Sequence, residues 1–252
     1  MVTLTELVCY ADRLLEVPGL RDYCPNGLQV EGRPEVGRLV CGVTASQAFL
    51  DRALAVEPDA VLVHHGYFWN GEPPQITGLR ARRIGTLLRS GVSLIAYHLP
   101  LDLHPELGNN AALGRILELV SPQPAEAAGM TGLVWHGELP WPMTSGQLNH
   151  WIATRLGREP VHADGGSSVI RRVAWCTGAG QRFIGEAARL GVDAYLSGEI
   201  SEPTTHEARE LGVHFFAAGH HATERHGVQA LGAHLAQRFA LEHRFLDVEN
   251  PA

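Results

Sequence analysis

Apolar, β-branched runs alternate with amphipathic stretches through most of the chain. Runs at Arg38–Val43, Ala60–Val63, Ser93–Tyr97, Leu133–His136, Val173–Cys176, Ala194–Ser197, Val213–Ala217 and Arg244–Val248 predict strands. Segments at Ser46–Val56, Ala81–Ser90, Gly108–Leu119, Ser145–Leu156, Gln181–Leu190, Thr204–Leu211 and Thr223–Leu241 carry helical patterning. The amphipathic, acid-containing N-terminus MVTLTELVCYADRLLE predicts a first helix and not a signal peptide. Strand–helix alternation of this kind predicts an α/β fold with largely parallel sheets. Ser121–Gly129 (SPQPAEAAG) reads as a surface connection. It divides the chain into α/β lobes 1–125 and 126–252, expected to pack as one integrated unit.

The pattern repeats. Aligning Gln47 with Gln181 sets an offset that holds without gaps for about twenty residues, pairing Phe49 with Phe183, Asp59 with Asp193, Ala60 with Ala194 and Leu62 with Leu196. Both copies run strand, small-residue turn (GVTAS or TGAG), helix, Asp-Ala, strand. The expectation is therefore two similar lobes arising by internal duplication. Ligands of open parallel sheets bind outside the carboxyl ends of the strands, so a site is expected there, between the lobes.

Composition narrows the chemistry. All 20 basic residues are Arg, which excludes lysine Schiff bases and a Walker-type phosphate loop. A net charge of −7 disfavours nucleic-acid binding. No apolar run approaches a membrane span, and four scattered cysteines (Cys9, Cys24, Cys41, Cys176) without a C-x-x-C pair fit a reducing cytoplasm. Those cysteines read as buried thiols and offer no cysteine-rich zinc site.

The 14 histidines are more telling by position than by number. VLVHHGYFWN places His64 and His65 at a strand end before Gly66. Adjacent strand residues face opposite ways, so both could ligate only through two neighbouring metals or a bend; one buried and one exposed His is the alternative. Tyr67, Phe68 and Trp69 read as an aromatic packing wall. AYHLPLDLHPELGNN offers His98 and Asp102, with Asp102 either a ligand or a turn cap, and His104 a loop surface residue. In AAGHHATERHGV, His220 and Glu224 are spaced i, i+4, which puts both on one helix face; His221 is the frame-shifted competitor. His136, His150, His162, His206, His214, His226, His234 and His243 have no ligand context in sequence. Five mixed ligands (His64, His65, Asp102, His220, Glu224) exceed one tetrahedral zinc and match a two-metal centre. An unligated His98 or Glu199 could shuttle protons, with Glu224 bridging or ligating; these three are the candidate catalytic residues. The turns GVTAS and TGAG could offer N–H groups to an anion. Arg80, Arg82 and Arg83 read as a solvated helix face.

The strings NGLQVEG (Asn26–Gly32), VHHGYFW (Val63–Trp69), YHLPLDLHPELGNN (Tyr97–Asn110), SGE (Ser197–Glu199) and GHHATE (Gly219–Glu224) together resemble the Nif-three-like family. Its members are dinuclear-metal-centre hexameric proteins, often labelled GTP cyclohydrolase I type 2 homologues, and this chain resembles the short form without the inserted domain. The resemblance implies that His64, His65, Asp102, His220 and Glu224 ligate two divalent ions per chain; His/carboxylate chemistry accepts Zn, Mn, Fe, Co or Ni. It also implies two intertwined α/β lobes, a homo-hexameric ring and hydrolysis of an unidentified small-molecule substrate. The competing expectation is a non-enzymatic metal-binding oligomer that regulates or binds other proteins.

Overall fold

The computed structural model describes residues 1–252. In chain order the elements are β1 (Val2–Thr3), α1 (Leu4–Leu14), β2 (Gly27–Val30), β3 (Glu35–Val36), β4 (Arg38–Thr44), α2 (Gln47–Leu54), β5 (Ala60–His65), α3 (Gly78–Ser90) and β6 (Ser93–Ala96). They continue as α4 (Leu99–Leu103), α5 (Asn109–Ile116), β7 (Val120–Ala127), β8 (Met130–Met143), α6 (Ser145–Leu156), β9 (Val161–Ala163) and β10 (Ile170–Cys176). The remainder is α7 (Ile184–Arg189), β11 (Ala194–Ser197), α8 (Glu202–Leu211), β12 (His214–Ala217), α9 (His220–Phe239) and β13 (Glu242–Phe245). All eight expected strands are present, and the α/β class holds. The short strands β1, β2, β3 and β9 had too few apolar residues to register as runs.

The chain forms two compact units, Met1–Leu101 with Gly227–Glu249, and Asp102–His226 with Asn250–Ala252. This division differs from 1–125 and 126–252. Ser121–Gly129 is not a connection: β7 covers most of it and pairs antiparallel with β8. The two prolines lie on an edge strand, where missing donors are tolerated. Ala128 and Gly129 both have positive φ (50° and 73°), the geometry of a tight hairpin turn. The C-terminal strand β13 pairs with β4, which is why residues up to Glu249 belong to the first unit.

In the first unit a five-stranded sheet runs β13-β4-β5-β6-β2. Its first four strands are parallel and β2 is antiparallel to β6. Strands buried on both faces read as continuous apolar runs, as β4 and β5 do. Val40, Val61, Val63 and Leu94 pack against Phe49, Leu50 and Leu87 of α2 and α3. Ser46 caps α2 by accepting the Phe49 N–H at 3.2 Å. In the second unit the six-stranded sheet runs β7-β8-β10-β11-β12-β9, with only β10, β11 and β12 parallel. Trp135, Trp175, Leu196 and Phe216 pack there against Leu148 and Ile152 of α6.

The two units share one register. Leu39 pairs with Ala60 in the first, and Val173 with Ala194 in the second, at the offset read from the sequence. The Asp-Ala position explains part of this. Asp59 accepts the N–H groups of Gly37 and Arg38, both at 2.9 Å. Asp193 accepts those of Arg171 (2.8 Å) and Arg172 (2.9 Å). Each carboxylate thus pins the start of the preceding strand.

Burial alone would raise the Asp59 pKa, but the two N–H donors and Arg33 hold it below the ordinary aspartate range. A depressed folded value stabilises the fold above the unfolded pKa of about 3.9 and loses that contribution as pH falls through the folded value. Asp59→Asn is expected to lower stability by about 1–2 kcal/mol at pH 7, from charge-assisted bonds lost. Urea denaturation should show the difference closing as pH falls below the unfolded aspartate pKa of about 3.9 and through the depressed folded value; a gap independent of pH would refute this role.

Candidate functional site

In the first unit the site residues gather at the carboxyl ends of β5 and β6. β5 ends on His65, and its ladder with β4 stops at the Thr44–His65 pair. His64 is fully buried, while His65 is half-buried. Their ring centroids are 4.6 Å apart, and the His98 ring lies 5.1 Å from His64 and 5.9 Å from His65. Ligand atoms of all three lie within 4.8 Å of one another. Alternation therefore does not separate the two imidazoles where the strand terminates. Gly66 is required just beyond: a Cβ there would sit 2.7 Å from the Ala96 Cβ and would collide with the Gln29 amide. That amide accepts the Tyr67 N–H at 2.7 Å. Tyr67 belongs to the core as expected, its hydroxyl donating to the Ala45 carbonyl (2.9 Å). Trp69 does not, since its ring stands edge-on to His98 at 4.9 Å.

Tautomers are fixed by what lies behind each ring. A carbonyl only accepts, so His64 Nδ1 carries the proton it donates to the Tyr97 carbonyl (2.8 Å), and Nε2 carries the lone pair. Ligating histidines are oriented in this way. His98 Nδ1 lies 2.7 Å from Asp22 Oδ1. Asp22 also accepts from Leu99 N (2.9 Å) and Asn26 Nδ2 (2.8 Å), and Asn26 accepts the His98 N–H at 2.8 Å. Burial would raise the Asp22 pKa, but the His98 bond and charge together with Asn26 lower it. Asp22 escaped the sequence reading because 76 residues separate it from His98.

In the second unit, α9 starts at His220, one turn earlier than Thr223, so the i, i+4 pair sits in its first turn. His220 Nε2 lies 3.0 Å from Glu224 Oε2, and His220 Nδ1 lies 2.6 Å from Glu199 Oε1. Burial opposes a charge on His220, yet the two carboxylates outweigh it and raise its pKa to about 9. Glu224 is 3% exposed and Asp102 6%, burial that a carboxylate tolerates only with compensating charge or hydrogen bonds. Asp102 Oδ1 accepts from Asn109 Nδ2 at 2.8 Å. The thiol of Cys176 is pushed far up by burial and by the Asp102 and Glu224 carboxylates, so it offers no thiolate. Cys24, raised to about 12 by burial and Asp22, offers none in the first unit. Cys9 is exposed, unlike the other three.

Glycines make room for Glu224. Gly178 has φ +63°, and a Cβ there would overlap Glu224 Oε1 and lie 3.2 Å from His220 Nε2. A Cβ on Gly198 would lie 2.6 Å from the Gly178 carbonyl and 2.7 Å from the His220 Cα. The TGAG turn is spent on this packing and offers no anion cradle. Its Thr177, Gly178 and Gly180 N–H groups donate to Asn110 Oδ1, Thr223 Oγ1 and Ser197 Oγ. In GVTAS, the Ala45 and Ser46 N–H groups donate to the His65 and Thr44 carbonyls. Arg80 is tied to Glu72 and to the Pro73 carbonyl.

The imidazole and carboxylate donors suit a divalent cation, and the rear atoms of His64, His220 and Asp102 are held by other residues. His220→Ala is expected to weaken metal binding at least tenfold and His221→Ala to change it little, because His220 pairs with Glu224 at i, i+4 and lies 3.0 Å from it. Chelator competition checks this, and the reverse order would show that the helix frame is misassigned.

Fold and donor sets together define a mixed α/β protein with candidate metal-binding His/carboxylate clusters. The chain belongs to the DUF34/NIF3 (NGG1p interacting factor 3) family, whose model matches residues 2–251. It is 55% identical over 251 residues to a "GTP cyclohydrolase 1 type 2 homolog" of Pseudomonas aeruginosa, covering 100% of this chain and 99% of that protein. Among solved structures it is similar to the protein ybgI, described as of unknown function, at 50% identity and TM-score 0.94, with 100% of both chains covered. It is also similar to TTHA1606 of Thermus thermophilus, at 36% identity and TM-score 0.89, again over 100% of both chains. No helix is long and apolar enough to cross a membrane.

Proposed function

We propose that this chain is a metal-dependent hydrolase that uses two divalent ions per chain. His64, His65, Asp102, His220 and Glu224 are the ligands, and a homo-hexamer is the working assembly. The observation that carries the reading is the rear support of the ligands: Tyr97 O behind His64, Glu199 behind His220 and Asn109 behind Asp102. Such support sets tautomer and orientation before a cation arrives. That two ions are bound and that six chains assemble is what the resemblance to the family implies.

When bound, divalent ions supply Lewis acidity, making water more acidic and offsetting negative charge on a substrate oxygen. The chain's own groups manage protons. With Nδ1 held against Asp22, His98 can take or give a proton only at Nε2. Glu199 holds the Nδ1 proton of His220 and so keeps its Nε2 directed at Glu224. The relatives' name makes a purine nucleotide one substrate to test. The spent N–H groups of both turns leave any phosphate to be recognised elsewhere.

The test has two parts. Elemental analysis of metal-supplemented protein is expected to give about two ions per chain, and none or one would refute the dinuclear reading. The loaded protein is then assayed against nucleotides, phosphoesters and amides, with turnover abolished in Glu224→Ala. Metal-loaded protein inactive on the whole panel would favour a non-enzymatic metal-binding oligomer.

A further inference from the structure

The second unit holds another cluster of metal-ligating side chains, on histidines whose sequence context gave no hint of it. β9 pairs antiparallel with β12, placing His162 opposite Phe216. Two residues along, the same face carries Asp164 and His214. The His162 ring stacks on Phe216 at 4.6 Å with the planes 16° apart, so its orientation is set by packing. His214 is 1% exposed, and its Nε2 lies 2.7 Å from the Ser167 carbonyl. Since a carbonyl only accepts, Nε2 carries the proton and Nδ1 the lone pair. That Nδ1 is 3.1 Å from His162 Nε2 and 3.4 Å from Asp164 Oδ1.

We propose that His162 Nε2, Asp164 and His214 Nδ1 form a third metal-binding position, a mononuclear site for a borderline divalent cation such as Zn²⁺, which clamps the edge strand β9 to β12. The spacings support it. Two ligands at 2.0–2.1 Å around a tetrahedral ion lie roughly 3.3 Å apart. The three donor atoms lie within 4.8 Å of one another, which is compatible with that figure. Two imidazoles and one carboxylate suit Zn²⁺ or its neighbours better than Mg²⁺ or Ca²⁺, and the exposed side of Asp164 leaves a fourth position for water.

The surrounding turn is shaped for the purpose. The Gly166 N–H donates to Asp164 Oδ1 at 2.8 Å and steadies the carboxylate. Gly165 must be glycine, because a Cβ would fall inside the backbone of Val213 and His214; its N–H donates to His214 Nδ1 at 3.2 Å. A cation has to displace that last contact and the His162–His214 hydrogen bond. Arg209 adds a competing positive charge near Asp164. The edge position supplies a role: β9 is only three residues long and has one neighbour. A metal bridging it to β12 would hold an edge that three residues alone hold weakly.

Crystals soaked in Zn²⁺ and measured at the zinc absorption edge should show an anomalous peak bounded by His162, Asp164 and His214. Hydrogen exchange should slow across residues 161–169 on zinc addition. His162→Ala and Asp164→Asn should each lose the peak and the protection and weaken binding at this position at least tenfold. Asp164 is exposed, so its variant tests the site without disturbing the core. Peaks only at the other His/carboxylate clusters, or protection unchanged in both variants, would overturn the proposal.

Discussion

Gly178→Ala is expected to weaken metal binding by at least about a hundredfold, as much as losing an outer-shell partner costs at the upper end. Two costs combine. Alanine at φ +63° carries left-handed strain of about 1–2 kcal/mol. Its methyl would also overlap Glu224 Oε1 and press on His220 Nε2, so the i, i+4 pair must move. The backbone cannot yield easily, because the Gly178 carbonyl accepts from Gly198 N at 2.8 Å and from Ser197 Oγ at 3.1 Å. Gly157→Ala is the control. Gly157 has a similar φ (+76°) with nothing within 4 Å of an added Cβ, so that variant carries the strain without the collision. Calorimetric titration of both variants separates the contributions. Wild-type affinity in Gly178→Ala would mean that Glu224 is not a ligand.

The second large effect falls on stability. Asn110→Ala should lower the thermal midpoint by about 6–12 °C, the shift that ~3 kcal/mol produces in a chain of this size. Asn110 is fully buried, and its Oδ1 accepts the Thr177 N–H at 2.9 Å. Its Nδ2 points at the carbonyls of Leu133 (3.2 Å), Gly132 (3.3 Å) and Asp102 (3.4 Å). Truncation leaves a buried N–H and several carbonyls short of a partner, at about 1–3 kcal/mol for each group truly stranded. Asn110→Asp should do no better, since it keeps the acceptor but loses the donors and buries a charge. A midpoint within about 2 °C of wild type would show that water or backbone shifts replace the side chain.

Local spacing carried much of this molecule. The alternation of apolar runs identifies the α/β class because period-two and period-3.6 patterns are set within ten residues of chain. The i, i+4 relation of His220 and Glu224 survives because helix geometry is local. The Asp59 and Asp193 match survives because both carboxylates do the same job at the same strand register. Other expectations failed where the deciding contact was distant or at a chain reversal. The proline-containing stretch after Ser121 became β7 because the long strand β8 was there to pair with it.

By itself, then, the sequence determined the class of fold and the internal repeat, since each depends on short-range order, and its motifs singled out the candidate ligands. Tertiary structure alone decided three things. His64 and His65 meet at a strand end despite their alternation. Asp22 stands behind His98. His162, Asp164 and His214, uninformative as letters, become a donor set. The last two bring together residues dozens of positions apart by strand register and turn geometry, and such proximity leaves no periodic trace in the chain.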